Sequence, residues 1–346
     1  MSAPNPNTWK TLDSDLKKIS ILESANTYVT KPMVGPSLAL AFLVLAGLFA
    51  AIFFIDKSSN YFVIAAAIMG AYMAINIGAN DVANNMAPAV GANALTMVGA
   101  IAIAALFESL GALLAGGDVV STISKGIIDP SGISDSNKFI WAMMAALLSA
   151  ALWINLATWI GAPVSTTHSI VGGVMGAGIA AAGLTSVNWI TMSKIAASWI
   201  ISPVLGGVIA AVFLAIIKSK IVYSDDKISS ARRWVPVLIA IMVGAFTTYL
   251  AMKGLKKIVK IELSIALLLG ITTALLSYLV SRPMIYRQSE GLENKNKSLK
   301  ILFKYPLIFS AALLSFAHGA NDVANAVGPL AAIVHAAEFG SIAAKV

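Results

Sequence analysis

The groups in this sequence best suited to chemistry are amides and carboxylates set in apolar surroundings. Between Asn76 and Asn93 stand Asn80, Asp81, Asn84 and Asn85, and the run Gly78-Ala79-Asn80-Asp81-Val82-Ala83-Asn84 returns letter for letter as Gly319-Ala320-Asn321-Asp322-Val323-Ala324-Asn325. Pro88 and Pro329 follow at the same interval in the two copies. On a helix Asn80 lies one turn from Asn84 and Asp81 one turn from Asn85, which makes a continuous polar stripe, repeated by Asn321, Asp322 and Asn325. Amide and carboxylate oxygens are hard ligands, suited to a sodium-like or magnesium-like cation rather than a soft metal. An ionised carboxylate at mid-bilayer costs about 2.5–3.5 kcal/mol on insertion scales, so each aspartate calls for a cation, a proton or water beside it. The glycine of each copy is expected to break its helix and free backbone carbonyls for the same cation. Asparagines that only bond helix to helix account for one amide in a span, but not for a duplicated stripe with an acid.

A second constellation follows Gly161, in the order Ala162, Pro163, Val164, Ser165, Thr166, Thr167, His168. Proline followed by hydroxyl residues marks a helix start. Ser165, Thr166 and Thr167 there add hydroxyl donors to the unpaired N–H groups at the positive helix end, a combination that suits an anion such as phosphate. Ordinary N-capping uses one of these hydroxyls, and three exceed what a cap requires. His168 reads as a packing residue. Glu108 interrupts the apolar run from Ala100 to Leu114, and an acid within a span is a candidate for function, with a salt bridge as the competing role. Ser121, Thr122, Ser124 and Lys125 form a hydroxyl-rich, basic stretch read as a solvated loop.

The elements that must position these groups are membrane helices. The chain has 346 residues, 58% hydrophobic and only 12% charged, with a mean hydropathy of +0.83. These values describe an all-α polytopic membrane protein in contact with a lipid bilayer. The net charge of +8 gathers in loops between apolar stretches, which sets topology and gives no reason to invoke nucleic acid. Zero cysteines exclude disulfides and thiolate metal sites, and three histidines leave little scope for a histidine-rich metal centre. Residues 1–36 are polar, lack the apolar core of a cleavable signal peptide, and are expected to stay attached. Within them Trp9, Leu12, Leu16, Ile19 and Leu22 at helical spacing suit an interfacial helix or one packed on the protein.

Residues 37–217 form a first half that holds the first motif and the hydroxyl cluster. Residues 218–305 form basic linkers around two connecting spans, and 306–346 open a second half. The two outer linkers carry eleven basic against four acidic residues and are assigned to the cytoplasm. Residues 163–185 read as a broken or re-entrant helix, with a full span as the alternative. Five spans then separate the motif copies if it is re-entrant and six if it crosses, and only six turns the second copy upside down.

Together these residues resemble the inorganic phosphate transporter (PiT) family, whose hallmark is a duplicated GANDVAN element in two homologous halves. The likeness extends to Phe107-Glu108, to Thr122 through Asp129, to Pro163 through His168, and to His318. It implies an inverted-repeat transporter with broken or re-entrant helices, multi-pass in the plasma membrane, that carries phosphate with a cation by alternating access. Asp81, Asp322 and Glu108 fall on carboxylates important for transport in the family, and the spelling of the first motif is closer to the sodium-coupled branch. On this reading Asn80, Asp81, Asn84, Asn321, Asp322 and Asn325 hold sodium. Phosphate is held by Ser165, Thr166 and Thr167 with Asn80, Asp81, Asn321 and Asp322. No cofactor is needed, sodium being the coupling ion, and a homodimer is compatible with the reading.

Proton-coupled uptake of phosphate or another oxyanion is the alternative, and a non-transporting phosphate sensor could share the same site. An enzyme acting on phosphate esters through Asp81 and His168 lacks a nucleophile and base at workable spacing. The family has a second proline-Ser-Thr-Thr-His element that this chain does not reach by Val346, so a truncated chain is expected.

Overall fold

The computed structural model describes residues 6–54, 60–117, 126–129, 133, 135–254 and 261–340. Among them the chain is helical throughout, with a lone bridge between Ile128 and Val187 in place of any strand. In lipid every backbone N–H and C=O needs a partner inside its own segment, and helices meet that demand without an edge. The elements are α1 (Pro6–Phe53), α2 (Asn60–Gly91), α3 (Met97–Ala115), α4 (Ser136–Trp159), α5 (Thr166–Ala182), α6 (Trp189–Ile217), α7 (Lys227–Lys253), α8 (Leu263–Gln288), α9 (Asn296–Leu302) and α10 (Lys304–Phe339). Eight helices among the described residues are long and apolar enough to cross a bilayer; α5, at 17 residues, and the short α9 are not among them.

The first helix runs without interruption through Pro32 and Pro36, so the polar N-terminal segment and the first apolar span share one axis. The side chains of Trp9, Leu12, Ile19 and Leu22 lie outside the described residues. So do Ser121, Thr122, Ser124 and Lys125.

Both motif copies lie inside unbroken helices. Gly78 and Gly319 are helical, as are Pro88 and Pro329, so the expected helix break at the motifs is not present. The physical role of Gly319 is close packing: a Cβ there would run into the backbone carbonyl of Glu108, and one at Gly111 into that of Phe316. Membrane helices approach this closely only where side chains are absent. Glycine at these positions lets α3 lie directly on α10.

The two motif helices run antiparallel. Gly70 faces Leu330 and the Ala326 carbonyl, Asp81 faces His318, and Met86 and Ala89 cluster with Ala311 and Leu307. Beside α2, α4 runs parallel to it. Phe62 meets Trp141 edge-on, the Asn155 amide donates to Asn76 Oδ1 at 2.9 Å, and Asn80 reaches Thr158. The chain then turns at residues 160–165 and α5 returns along α4, with Gly173 against Ala146.

Where a broken or re-entrant helix is expected over residues 163–185, the chain forms α5, packed antiparallel on α4 as a two-helix hairpin. Between the motif helices α3, α4, α6, α7 and α8 are long and apolar enough to cross a bilayer and α5 is not. The antiparallel course of α2 and α10 accords with an even number of crossings between the motif copies.

The buried core joins these helices through Met73, Met143, Leu147, Ile154, Ile170, Val174 and Ile333. A smaller cluster of Ile221, Ile228, Val235, Ile285, Leu299 and Leu302 fastens α7, α8 and α9 at the basic end. Of the residues of α6 only Met192 is buried, and the rest present an apolar surface of the kind that faces lipid.

Candidate functional site

The hairpin tip is built by local rules. Gly161 takes a left-handed φ of 72°, open to glycine at no steric cost. Ser165 is the N-cap of α5, its side chain accepting from the His168 N–H at 3.2 Å. The cap thus uses one hydroxyl of the three, as capping chemistry requires. Thr166 follows as the first helical residue, with its side chain buried.

That side chain joins the two motif copies. Thr166 Oγ1 stands 3.0 Å from Asp81 Oδ2 and 3.1 Å from Asp322 Oδ2. It also accepts from the Asn325 amide at 3.2 Å, while the same amide donates to Thr167 Oγ1 at 3.1 Å. A hydroxyl owns one proton, so the two carboxylates share a single donor. The contact lies near the middle of the 36-residue α10, on the order of 26 Å from either end. The positive end of α5 points at the same acids, which stabilises their charge.

Asn80 fastens the turn rather than facing the acids. Its amide donates to Thr158 Oγ1 at 2.9 Å and to the Ala162 carbonyl at 3.5 Å, and its Oδ1 accepts from the Val164 N–H at 3.4 Å. Asn321, its counterpart in the second copy, is exposed and donates to Asp322 Oδ1 at 2.9 Å. Asn84, expected among the cation ligands, is exposed and makes no side-chain hydrogen bond to the cluster. Its counterpart Asn325 is fully buried, and its Oδ1 has no hydrogen-bond partner.

Two residues join the site that the motif reading left out of its ligand set. His318 Nδ1 lies 3.1 Å from Glu108 Oε1, and Nε2 lies 3.1 Å from Asp322 Oδ2 and 3.7 Å from Asp81 Oδ2. The Nε2 contact has ion-pair distance but not hydrogen-bond alignment. Asn85 donates to the same Glu108 oxygen at 3.2 Å. His318 precedes Asp322 by one helical turn, and Asn85 follows Asp81 by one turn, so the same periodicity that marked the stripe was the available signal for both.

Asp81, His318 and Asp322 each offer an atom within 4.8 Å of the others, a spacing that suits one cation. The carboxylate oxygens are the hard donors of this set, and the imidazole serves the acids as a neighbour.

Cavities flank the cluster. One of about 530 Å³ is lined by Ser165, Thr167, His168, Ser198, Ser202 and Asn321 among others, and there the His168 ring lies tilted against Trp199 with centroids 3.9 Å apart. Another of about 590 Å³ lies between α1, α2, α3 and α10 and is apolar apart from Glu108, Ser109, His318 and Asp322. The hydroxyl-lined cavity suits a small polar anion, and the acids close off the apolar one.

Comparison with known proteins bears on this arrangement. A family profile described as the phosphate transporter family matches residues 77–345. A candidate phosphate permease of Helicobacter pylori strain J99 is 51% identical over 327 residues, covering 94% of this chain and 61% of that protein. A candidate phosphate permease of Pyrococcus abyssi is 42% identical over 280 residues, covering 81% of this chain and 68% of its own length. A solved structure described as the sodium-dependent phosphate transporter superposes with a TM-score of 0.77 at 39% identity, covering 83% of this chain and 70% of that one. The chain spans about three fifths of the length of the Helicobacter relatives it matches.

Proposed function

This chain belongs to the phosphate transporter family, and on that premise we propose that it carries inorganic phosphate together with sodium across the plasma membrane. The observation that carries the proposal is the Thr166 hydroxyl between Asp81 and Asp322. It ties a hydroxyl-bearing helix start to one acid from each motif copy. Phosphate binds to Ser165, Thr167 and the free N–H groups of α5, from the cavity that Asn321 also lines. Sodium binds beside it to Asp81 and Asp322, with the unpaired Asn325 Oδ1 as a neutral ligand. Asn80 acts on the phosphate only through the turn it holds.

Two carboxylates and a phosphate anion repel one another in this space. A sodium ion between them removes that repulsion, so each ligand raises the affinity of the other, a linkage that is reciprocal. Glu108 sets the position of His318 and so the charge felt by Asp322. The antiparallel motif helices and the cavities flanking the acids support alternating access in an inverted-repeat frame. The chemistry is binding and release, with no bond made or broken, and no cofactor is required.

The test is labelled phosphate uptake into proteoliposomes with and without an inward sodium gradient, repeated for Asp81→Asn and Asp322→Asn. Sodium-driven uptake is expected to fall to background in both variants while they remain folded. Unchanged uptake in both would remove the site assignment. Proton coupling is the second reading, favoured by the imidazole of His318 among three carboxylates. Uptake that follows a pH gradient and ignores sodium would select it.

A further inference from the structure

Two arginines at the basic end of the molecule have no role in the site above. The lipid-facing surface of α8 exposes Leu275, Leu276, Leu279 and Val280. Leu275, Leu279, Arg282 and Tyr286 follow one another at intervals of three or four, which places them on one stripe. Along that stripe the surface changes from apolar to basic within a single turn. Arg282, Pro283, Tyr286, Arg287 and Glu290 line a cavity of about 420 Å³ at the change.

The neighbouring charges are already engaged. Arg232 stacks over the Tyr286 ring at 4.4 Å and donates Nε–H to Ser289 Oγ at 2.6 Å. Lys295 pairs with Glu293 at 2.6 Å, and Asp226 caps α7. Among the described residues Arg282 and Arg287 have neither a hydrogen bond nor an ion pair from their side chains. Two free guanidinium groups therefore face the cavity against the single carboxylate of Glu290.

We infer that this cavity seats the phosphate of an anionic phospholipid, with its acyl chain along Leu275 and Leu279. Guanidinium groups match phosphate oxygens in pairs, and basic clusters at the cytoplasmic end of a helix draw anionic lipid from the leaflet. A free phosphate ion would use the same groups. The apolar stripe that runs into the cavity is what favours a lipid over a free ion.

Native mass spectrometry of the full chain in detergent tests this with phosphatidylglycerol, phosphatidylcholine and inorganic phosphate as probes. The variants are Arg282→Ala with Arg287→Ala, and a control of equal charge loss, Lys295→Ala with Lys297→Ala. The wild type is expected to retain phosphatidylglycerol over phosphatidylcholine. The arginine pair variant is expected to bind phosphatidylglycerol about thirtyfold more weakly, and the lysine control within about twofold of wild type. Equal retention of the two lipids by the wild type, or unchanged phosphatidylglycerol binding in the arginine variant, would overturn the inference. Displacement of the lipid by millimolar inorganic phosphate would also overturn it, by assigning the cavity to a free anion.

Discussion

Replacing Thr166 by valine keeps the shape of the side chain and removes the hydroxyl that stands 3.0 Å from Asp81 and 3.1 Å from Asp322. One proton serves both acids, so one charge-assisted bond is lost and not two. Such bonds are worth about 1.5–3 kcal/mol, which corresponds to about a tenfold to hundredfold change in an equilibrium. The loss falls on the state in which the hairpin tip touches both acids, and under the proposed function that is the state sodium fills. Sodium-dependent phosphate uptake in proteoliposomes should therefore show a half-saturating sodium concentration raised by about tenfold or more in Thr166→Val. Thr166→Ser keeps the hydroxyl and should stay within about threefold of wild type. Thermal melting in detergent separates a lost bond from a lost fold. A valine variant with the sodium dependence of the wild type, or a serine variant as impaired as the valine one, would refute the bridging role.

The equivalent glycines of the two motifs should respond to alanine with opposite signs. Gly319→Ala drives a methyl into the Glu108 backbone and should lower stability by about 1–3 kcal/mol. Gly78→Ala meets nothing within 4 Å and should raise helix stability by about 0.5–1 kcal/mol; equal melting shifts for the two would contradict the packing described. Asn80→Ala removes the bonds to Thr158, Ala162 and Val164. Deuterium exchange at residues 160–165 should rise while that of the α10 core stays slow, and an unchanged rate at the turn would dismiss Asn80 as its fastener.

Much of this arrangement was legible because hydropathy and helical period act locally. The apolar spans, the start of α5 at a proline-hydroxyl run and the inward face of Asp81 all follow from spacing of a few residues. What spacing along one strand of sequence could not convey is which helix a polar face meets. The repeat made Asn80 and Asn321 look equivalent, as it did Asn84 and Asn325. In the folded chain the α4–α5 tip lies on one side of the motif pair, so it binds Asn80 through its turn and Asn325 through its hydroxyls. It leaves Asn84 and Asn321 exposed. His318 has no counterpart in the first copy, where Ile77 stands, and only the crossing of α3 over α10 gives it Glu108 as a neighbour. The role of Gly319 is set in the same way, by a neighbouring helix. A glycine that permits close approach and one that breaks a helix look alike until the neighbouring backbone is known.

The paired construction of the α4–α5 hairpin also bears on how the chain is threaded into a membrane during synthesis. Because the segment leaves on the side it entered, whether it inserts early, late or not at all has no effect on which side any flanking loop occupies. The orientation of the protein can be decided by its basic loops while the hairpin is still outside, and its tip can then slide inward once α2 and α10 offer their acids. A mistake in hairpin insertion would therefore yield a molecule that is correctly oriented yet inactive, and that distinguishes it from a mistake in any of the crossing helices.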